Sequence, residues 1–153
     1  MFFHQSLKNH KRFTVPLTMP KLIGIDFGLK RTGLAVTDEN KIIASPLTTI
    51  DSGQLMSFLT DYFSKNEVEA IVLGYPTRMD GSDSHITPNV RLLKEALEKQ
   101  FPCMPVHLQD ERMTSLQAMQ TIHLAGNKKQ KKDKQLVDKV AATIILSDFL
   151  KGA

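Results

Sequence analysis

The sequence predicts an α/β fold, in which one mixed five-stranded sheet carries helices on both faces. Three observations lead to this prediction. Near the start, two apolar, β-prone runs flank a short glycine-bearing connection, which is typical of an antiparallel hairpin. Further along, two short apolar runs are separated by segments with helical spacing, which is typical of parallel strands joined by right-handed crossovers. The length of 153 residues suffices for one domain with its own core.

The composition is ordinary for a soluble globular protein, with 41% hydrophobic and 24% charged residues. No apolar run approaches the length needed to span a membrane. The single cysteine, Cys103, excludes an internal disulfide and fits a reducing compartment, so we expect a cytoplasmic protein without membrane contact.

Charge is distributed unevenly along the chain. Residues 1–18 contain Lys8, Lys11 and Arg12 but no acid, and they show no periodicity. We therefore expect a disordered N-terminal extension over residues 1–18, followed by one domain over residues 19–153. Subtracting those three positive charges from the net charge of +4 leaves +1, so a nucleic-acid surface would have to come from local patches.

The hairpin begins with Leu22–Ile25, a nearly continuous apolar run that is typical of a strand covered on both faces. Asp26 ends this predicted strand, and Gly28, Lys30 and Arg31 follow closely. An acid, a glycine and two cations fit a site that holds a metal ion and a phosphate. They equally fit an ordinary turn, because Asp is a common turn former.

The middle of the chain alternates between strands and helices. Residues Lys41–Leu47 are predicted to form a third strand that ends near Pro46. The stretch Asp51-Ser52-Gly53 offers a cap for a first helix. The apolar residues of that helix follow at helical spacing: Leu55, Met56, Leu59, Tyr62 and Phe63.

The fourth predicted strand is Ala70–Leu73, which Gly74, Tyr75 and Pro76 end. Thr87 is predicted to cap a second helix that has Pro88 at its first position, where proline is tolerated best. The buried stripe of this helix comprises Val90, Leu93, Leu97 and Phe101.

A fifth short strand, Val106–Leu108, leads directly to two acids, Asp110 and Glu111. Thr114 and Gln117 then form a capping box for a third helix, which is predicted to end at Gly126. A basic loop over residues 127–134 precedes a final helix, predicted over residues 136–150.

The carboxyl ends of parallel strands meet at one edge of a sheet, where ligands gather. Asp26, Gly74 and the pair Asp110 and Glu111 are therefore expected to converge. Grouped carboxylates bind hard cations such as Mg²⁺ or Mn²⁺, and two such ions about 4 Å apart can cleave a phosphodiester. No Ser–His triad, zinc pattern or Walker loop offers an alternative chemistry.

Four motifs follow one another along the chain: Ile25-Asp26-Phe27-Gly28 with Lys30-Arg31-Thr32-Gly33, Gly74-Tyr75-Pro76 with Asp80-Gly81, Asp110-Glu111-Arg112 with Thr114, and Asp138 with Ala141-Ala142. Together they resemble the YqgF-type family of bacterial resolvase-like nucleases, over about residues 20–150. The resemblance implies a ribonuclease-H-like fold, divalent-metal phosphodiester cleavage and trimming of the 5′ end of the 16S ribosomal RNA precursor. An older assignment within the family is cleavage of four-way DNA junctions.

The resemblance implies Asp26, Asp138 and one acid of the Asp110–Glu111 pair as metal ligands. Side chains alternate along a strand, so only one of that pair should point at the site. Glu111 is the favoured ligand because its longer side chain reaches from a strand end, and Asp110 would then orient neighbouring groups. Related resolvases place an acid after the fourth strand, where this chain has Gly74.

Spacing along the final helix supports a role for Asp138. Asp138, Ala142, Ile145 and Phe149 follow one another at steps of three and four, so they share one helix face. Since Ile145 and Phe149 should face the sheet, Asp138 should face it too and converge with Asp26. The small residue Ala142 would let the helix approach the sheet closely.

Several cations are candidates for contact with nucleic acid. Lys30 and Arg31 are placed to contact backbone phosphates. Arg112 would contact the scissile phosphate or pair with a neighbouring acid. The lysines of the basic loop would form an arm that meets phosphates, or else a solvated loop: Lys128, Lys129, Lys131 and Lys132.

The expected partners are structured RNA and branched DNA, with the protein acting as a monomer or weak homodimer. Sugar kinases and actin-like ATPases share the implied fold, but they enclose their nucleotide between two domains and this chain has one. A module that binds structured RNA without cleaving it remains an alternative. The near-neutral body of the protein and the missing acid at Gly74 favour that alternative.

Overall fold

The computed structural model describes residues 20–111 and 134–152, with side chains of the second segment described from residue 140 onward. One five-stranded sheet has the order β3-β2-β1-β4-β5. The strands are β1 (Lys21–Phe27), β2 (Arg31–Thr37), β3 (Ala44–Asp51), β4 (Val68–Tyr75) and β5 (Val106–Asp110). The helices are α1 (Leu55–Lys65), which follows a 3-10 turn at Ser52–Gln54, α2 (Thr87–Gln100) and α3 (Lys134–Gly152).

The sheet is mixed, as the sequence predicts, with β1 at its centre. The strands β1, β2 and β3 pair antiparallel, whereas β4 pairs parallel to both β1 and β5. The predicted class, a mixed five-stranded α/β sheet, is therefore confirmed. Three parallel strands, β1, β4 and β5, end at the same edge of the sheet.

Helices cover both faces of the sheet, because β1 and β4 are apolar on both sides. On one face, Ile23 and Ile25 of β1 pack with Leu59 of α1 and Val90 of α2. On the opposite face, α3 packs against β1, β2 and β4 through a separate cluster. That cluster contains Leu22, Ala35, Ala70, Val72, Ala141, Ala142, Ile145 and Leu146.

Helix α3 approaches the sheet closely, as the small residues on its inner face predict. Ala142 is fully buried against the sheet. A methyl group placed on Gly24 of β1 would lie 2.9 Å from Leu146 Cβ and 3.2 Å from the Ala142 carbonyl oxygen. Ile145 is buried too, and Phe149 packs against the same cluster, which confirms these members of the predicted inner stripe.

The predicted bounds of the third strand are wrong. Strand β3 runs from Ala44 to Asp51, so it continues past Pro46. Pro46 pairs with Ala35 next to a register shift between Leu34 and Ala35, and β3 is an edge strand. Edge strands and bulges are the places where a sheet tolerates a residue without an N–H.

Two of the predicted helix caps are also wrong. The Asp51 side chain makes no capping hydrogen bond, and α1 begins only after the 3-10 turn. Thr87 is the first residue of α2, and its hydroxyl donates to the Pro76 carbonyl (2.5 Å) and accepts from the Ser84 N–H (2.8 Å). Thr87 therefore fastens the loop after β4 to the helix instead of capping it.

Strands β1, β4 and β5 extend further than predicted, so Asp26, Gly74 and Asp110 lie inside strands. Helix α3 also begins earlier and ends later than predicted. The capping box at Thr114, the helix ending at Gly126 and most of the basic loop lie outside the described residues. None of the helices in the described segments combines the length and apolar character needed to cross a membrane.

Candidate functional site

The alternation of β1 places Asp26 on the face that α3 covers. Ile23, Ile25 and Phe27 pack into the core beneath α1 and α2. Leu22 packs into the opposite core, and Asp26 shares its side of the strand because four residues separate them. Asp26 pairs with Gly33 of β2 and is partly buried.

Gly74 of β4 lies beside Asp26. The parallel register pairs Gly24 with Val72 and Ile25 with Leu73, so the next step brings Gly74 next to Asp26. Gly74 also faces α3, because a methyl group placed on it would lie 2.7 Å from Ile145 Cδ1. Near the carboxyl ends of β1 and β4, an acid on one strand thus lies beside a residue without a side chain on the other.

Glu111 brings a second carboxyl to this place from the neighbouring strand. Its N–H donates to the Tyr75 carbonyl (3.3 Å), which continues the pairing of β5 with β4. A methyl group on Gly74 would lie 3.1 Å from Glu111 Oε1 and 3.2 Å from its Cδ. The Glu111 carboxyl therefore lies above β4, and the residue is only 9% exposed.

Asp110 differs from Glu111 in both direction and burial. The His107 ring stacks on Phe149 of α3, with ring centroids 5.3 Å apart. Alternation along β5 then puts Glu111 on the α3 face and Asp110 on the other side. Asp110 is exposed, at the end of β5. Of the two acids, the structure brings Glu111 to Asp26.

Burial, followed by the negative charges of Asp26 and Asp110, raises the pKa of the Glu111 carboxyl to about 8. An apolar surrounding and nearby like charges both disfavour the ionised carboxyl. At neutral pH Glu111 therefore keeps its proton unless a cation compensates its charge. The two neighbouring carboxyl groups repel each other when both are ionised. A divalent cation bound between their oxygens would offset this repulsion, and such cations prefer oxygen ligands.

A third ligand for such a cation would have to come from outside the described side chains. No group of three or more His, Cys, Asp or Glu residues that could hold a metal ion occurs among the described residues. Residue 138 lies on α3, four residues before the buried Ala142, but its side chain is outside the described part of the chain. Asp138 therefore stays a predicted ligand.

Lys30 lies in the turn between β1 and β2, and Arg31 begins β2, so both cations closely follow Asp26 in the chain; residues 28–31 are called the basic turn. Ser52, which follows β3, holds the turn in place: its hydroxyl donates to the Gly28 carbonyl (2.5 Å), and its N–H donates to the Lys30 carbonyl (2.9 Å). The hydroxyls of Thr32 and Ser52 are hydrogen-bonded at 2.8 Å. A methyl group on Gly28 would lie 2.5 Å from the Arg31 carbonyl oxygen, so the turn is also too tight for a side chain there.

Two residues, Ser52 beside the basic turn and Arg78 in the loop after β4, were not singled out as functional from the sequence. Ser52 was interpreted as part of a helix cap, although its hydrogen bonds fasten the basic turn. Arg78 is exposed in the loop after β4, where an isolated bridge joins Thr77 to Asp83 and the Arg78 N–H donates to the Ser82 carbonyl (2.9 Å). Its position directly after the Gly74-Tyr75-Pro76 motif was the signal that could have identified it.

The remaining predicted contacts with nucleic acid lie outside the described residues. They are Arg112, Lys128, Lys129, Lys131 and Lys132. The structure therefore brings together Asp26, Glu111 and the basic turn, and those five positions stay predictions.

The sheet order and the grouped acids define a ribonuclease-H-like protein with its site at the carboxyl ends of the parallel strands. Two solved structures share this fold. The fowlpox virus Holliday junction resolvase superposes with a TM-score of 0.51 at 10% identity, over 87% of this chain and 99% of the other. The same resolvase in complex with junction DNA gives a TM-score of 0.52 at 12% identity, over 86% and 97%. At these identities the likeness concerns the fold alone.

The family model described as "RuvX: Holliday junction resolvase" matches residues 20–152, so this chain belongs to the RuvX family. Relatives in Flavobacterium psychrophilum and Flavobacterium johnsoniae carry the name "Putative pre-16S rRNA nuclease". The first is 46% identical over 86% of this chain and 97% of the relative. The second is 47% identical over 88% of this chain and 98% of the relative. The resemblance inferred from the sequence motifs is confirmed.

Proposed function

We propose that this protein is a divalent-metal-dependent nuclease that trims the 5′ end of precursor 16S ribosomal RNA in the cytoplasm. The observation that carries the proposal is the position of the Glu111 carboxyl above Gly74 and close to Asp26, at the carboxyl ends of the parallel strands β1, β4 and β5. Membership of the RuvX family and relatives named as pre-16S rRNA nucleases support the substrate.

In this proposal Asp26 and Glu111 supply oxygen ligands, and Asp138 supplies a third. A bound Mg²⁺ or Mn²⁺ would activate a water molecule and stabilise the oxygen that leaves the phosphorus. Helix α3 excludes solvent from the Glu111 side of the site, which strengthens electrostatic interactions there. Asp110 is exposed, so it orients neighbouring groups and does not serve as a ligand.

The cations around the site hold the substrate backbone. Lys30 is exposed on the turn that Ser52 fastens, and Arg78 is exposed on the loop after β4. Both segments follow parallel strands and so lie at the edge that carries the acids. They provide positive charge on either side of Asp26, where phosphates flanking the scissile bond would lie.

The deciding experiment compares the wild-type protein with Asp26→Asn on precursor 16S ribosomal RNA, with Mg²⁺, Mn²⁺ or chelator. Cleavage should require the metal and should fall at least about 100-fold in the variant, since one oxygen-ligand charge is lost. Asp61→Asn makes the same chemical change on the exposed face of α1, where Asp61 pairs with Lys65, and should cleave normally. Cleavage by Asp26→Asn at the wild-type rate would refute the assignment.

Cleavage of a four-way DNA junction is the second candidate, because the matching family model is described as a Holliday junction resolvase. A junction assayed beside the RNA under the same conditions separates the two substrates. Binding of the RNA without metal-dependent cleavage would instead support the non-catalytic module.

A further inference from the structure

We propose that Gly74 is a positioning residue: its missing side chain leaves the space in which the Glu111 carboxyl lies beside Asp26. The proposal rests on the proposed function in treating this carboxyl as part of the active site. It adds a role for a residue that carries no functional group.

The space above Gly74 is already filled from two sides. A methyl group there would lie 2.7 Å from Ile145 Cδ1, 3.1 Å from Glu111 Oε1 and 3.2 Å from Glu111 Cδ. Protein interiors are close-packed, so each of these contacts would be tighter than ordinary van der Waals distance. A side chain at residue 74 therefore has to displace Ile145 or the Glu111 carboxyl.

Backbone conformation does not explain the glycine. Among the described glycines, only Gly81 has a positive φ, of 88°. Gly74 lies within strand β4, where glycine lowers stability because it has no side chain to pack. What the position requires is the absence of a Cβ.

The space determines how near Glu111 comes to Asp26. Glu111 follows β5, and β4 separates β5 from β1. By lying over Gly74, its carboxyl crosses one strand spacing, about 4.8 Å, towards Asp26. An alanine Cβ at residue 74 would press on the carboxyl at 3.1 Å and 3.2 Å and shift it by a few tenths of an ångström away from Asp26, and a larger side chain would shift it further.

Gly24 provides a matched control on the same face of the sheet. A methyl group there would also press on α3, at 2.9 Å from Leu146 Cβ and 3.2 Å from the Ala142 carbonyl oxygen. No carboxyl lies among the nearest atoms around Gly24. Gly24→Ala therefore tests the approach of the helix alone, whereas Gly74→Ala tests the helix and the carboxyl together.

The experiment compares Gly24→Ala, Gly74→Ala and Gly74→Val. Thermal unfolding, Mn²⁺ affinity by calorimetry, and the crystal structure of each variant are measured. Both alanine variants should lower the melting temperature. Only substitutions at residue 74 should weaken Mn²⁺ binding, by roughly tenfold for alanine and 100-fold for valine. Loss of a residue that merely orients a metal ligand typically lowers metal affinity by about 10–100-fold.

Ile145→Val separates the two neighbours of Gly74, because it removes the Cδ1 atom and leaves Glu111 unchanged. In the Gly74→Ala background it should restore the melting temperature but not the Mn²⁺ affinity; Ile145→Val alone sets the baseline. Wild-type Mn²⁺ affinity in the double variant would overturn the proposal. So would a crystal structure of Gly74→Val with the Glu111 carboxyl still beside Asp26.

Failure of the proposed function would give results that differ from failure of the proposal about Gly74. If the wild-type protein bound no Mn²⁺, or if Asp26→Asn bound it equally well, the metal site would be refuted. The position of the Glu111 carboxyl in the Gly74→Val crystal structure would still decide the role of Gly74.

Discussion

The hydroxyl of Ser52 donates a 2.5 Å hydrogen bond to the carbonyl oxygen of Gly28, joining the end of β3 to the turn between β1 and β2. The Ser52 N–H also donates to the Lys30 carbonyl at 2.9 Å. The basic turn is therefore held by a residue that lies outside it in the sequence, at the end of β3. This arrangement orders Lys30 before any substrate arrives, which lowers the entropy cost of binding.

Ser52→Ala should loosen the turn, because Gly28 and Thr32 lose their hydroxyl partner. We expect a loss of about 1–2 kcal/mol in the free energy of unfolding. Binding of RNA to the metal-free protein should weaken several-fold. Urea unfolding and fluorescence-anisotropy titration measure the two effects. Ser57→Ala is the control, because it removes an exposed helix hydroxyl that donates to the Gln54 carbonyl. It should change neither the free energy of unfolding nor RNA binding. Equal losses in the two variants would argue against a special role for Ser52.

The raised pKa of Glu111 predicts how stability depends on pH in the metal-free protein. Folding raises the pKa from its usual value of 4.5 to about 8, so between these values the folded state holds a proton that the unfolded state has lost. Stability should therefore fall as pH rises through this range, by up to about 1.4 kcal/mol per pH unit. Urea unfolding from pH 5 to 9 in chelator measures the slope.

Glu111→Gln is the control for this slope, because it keeps the shape of the side chain and removes the titration. Its stability should exceed that of the wild-type protein above pH 8, and the slope should flatten. Added Mg²⁺ should stabilise the wild-type protein more at pH 8 than at pH 6, since metal and proton compete for the carboxylate. Identical slopes in the two proteins would mean that Glu111 titrates normally.

Asp138→Asn tests the convergence predicted from helix spacing. Metal-dependent cleavage should fall strongly, whereas stability in chelator should stay equal or rise because repulsion between like charges is relieved. Cleavage assays and thermal unfolding measure the two effects. Asp148→Asn changes an acid further along the same helix, and it should leave metal affinity intact. A crystal structure with Asp138 directed to solvent and far from Asp26 would contradict the prediction.

The lysine cluster at residues 128–132 predicts a salt-dependent contribution to binding. Neutralising Lys128, Lys129, Lys131 and Lys132 should weaken binding across RNA sequences and reduce the slope of log affinity against log salt by about three. Filter binding between low and physiological salt measures the slope. Neutralising Lys65 and Lys94, which pair with acids on α1 and α2, should leave it unchanged. An unaltered slope in the quadruple variant would mean that the cluster does not touch the RNA.

The fold was predictable because the spacing of apolar residues distinguishes the strands from the helices. The connections between strands then indicate how they pair: a short turn joins antiparallel strands, and a helix joins parallel ones. Local polar chemistry was less predictable. Asp51 and Thr87 looked like helix caps, but tertiary hydrogen bonds of Ser52 and Thr87 determine the geometry at those points. Pro46 looked like a strand end, and only its position on an edge strand explains why the strand continues.

The candidate site was predictable to the same extent. A carboxylate at the end of a buried strand is a local signal, and it indicates Asp26. Alternation predicts that only one acid of the pair Asp110 and Glu111 points at the site, and the longer side chain of Glu111 favours it. The space above Gly74 is made by Ile145 and Glu111, which are far from it in sequence, so no local pattern reveals it.

The order of elements along the chain has a consequence for biosynthesis. Helix α3 follows all five strands in the chain, yet its residues Ala142 and Leu146 press against Gly24 in β1, the first strand. While the ribosome is still translating the segment after β5, the sheet face with Asp26 and Gly74 has no cover, and Ile145 has yet to be added beside them. The face that carries Asp26 and Gly74 is therefore enclosed only after α3 has been translated and has packed against the sheet.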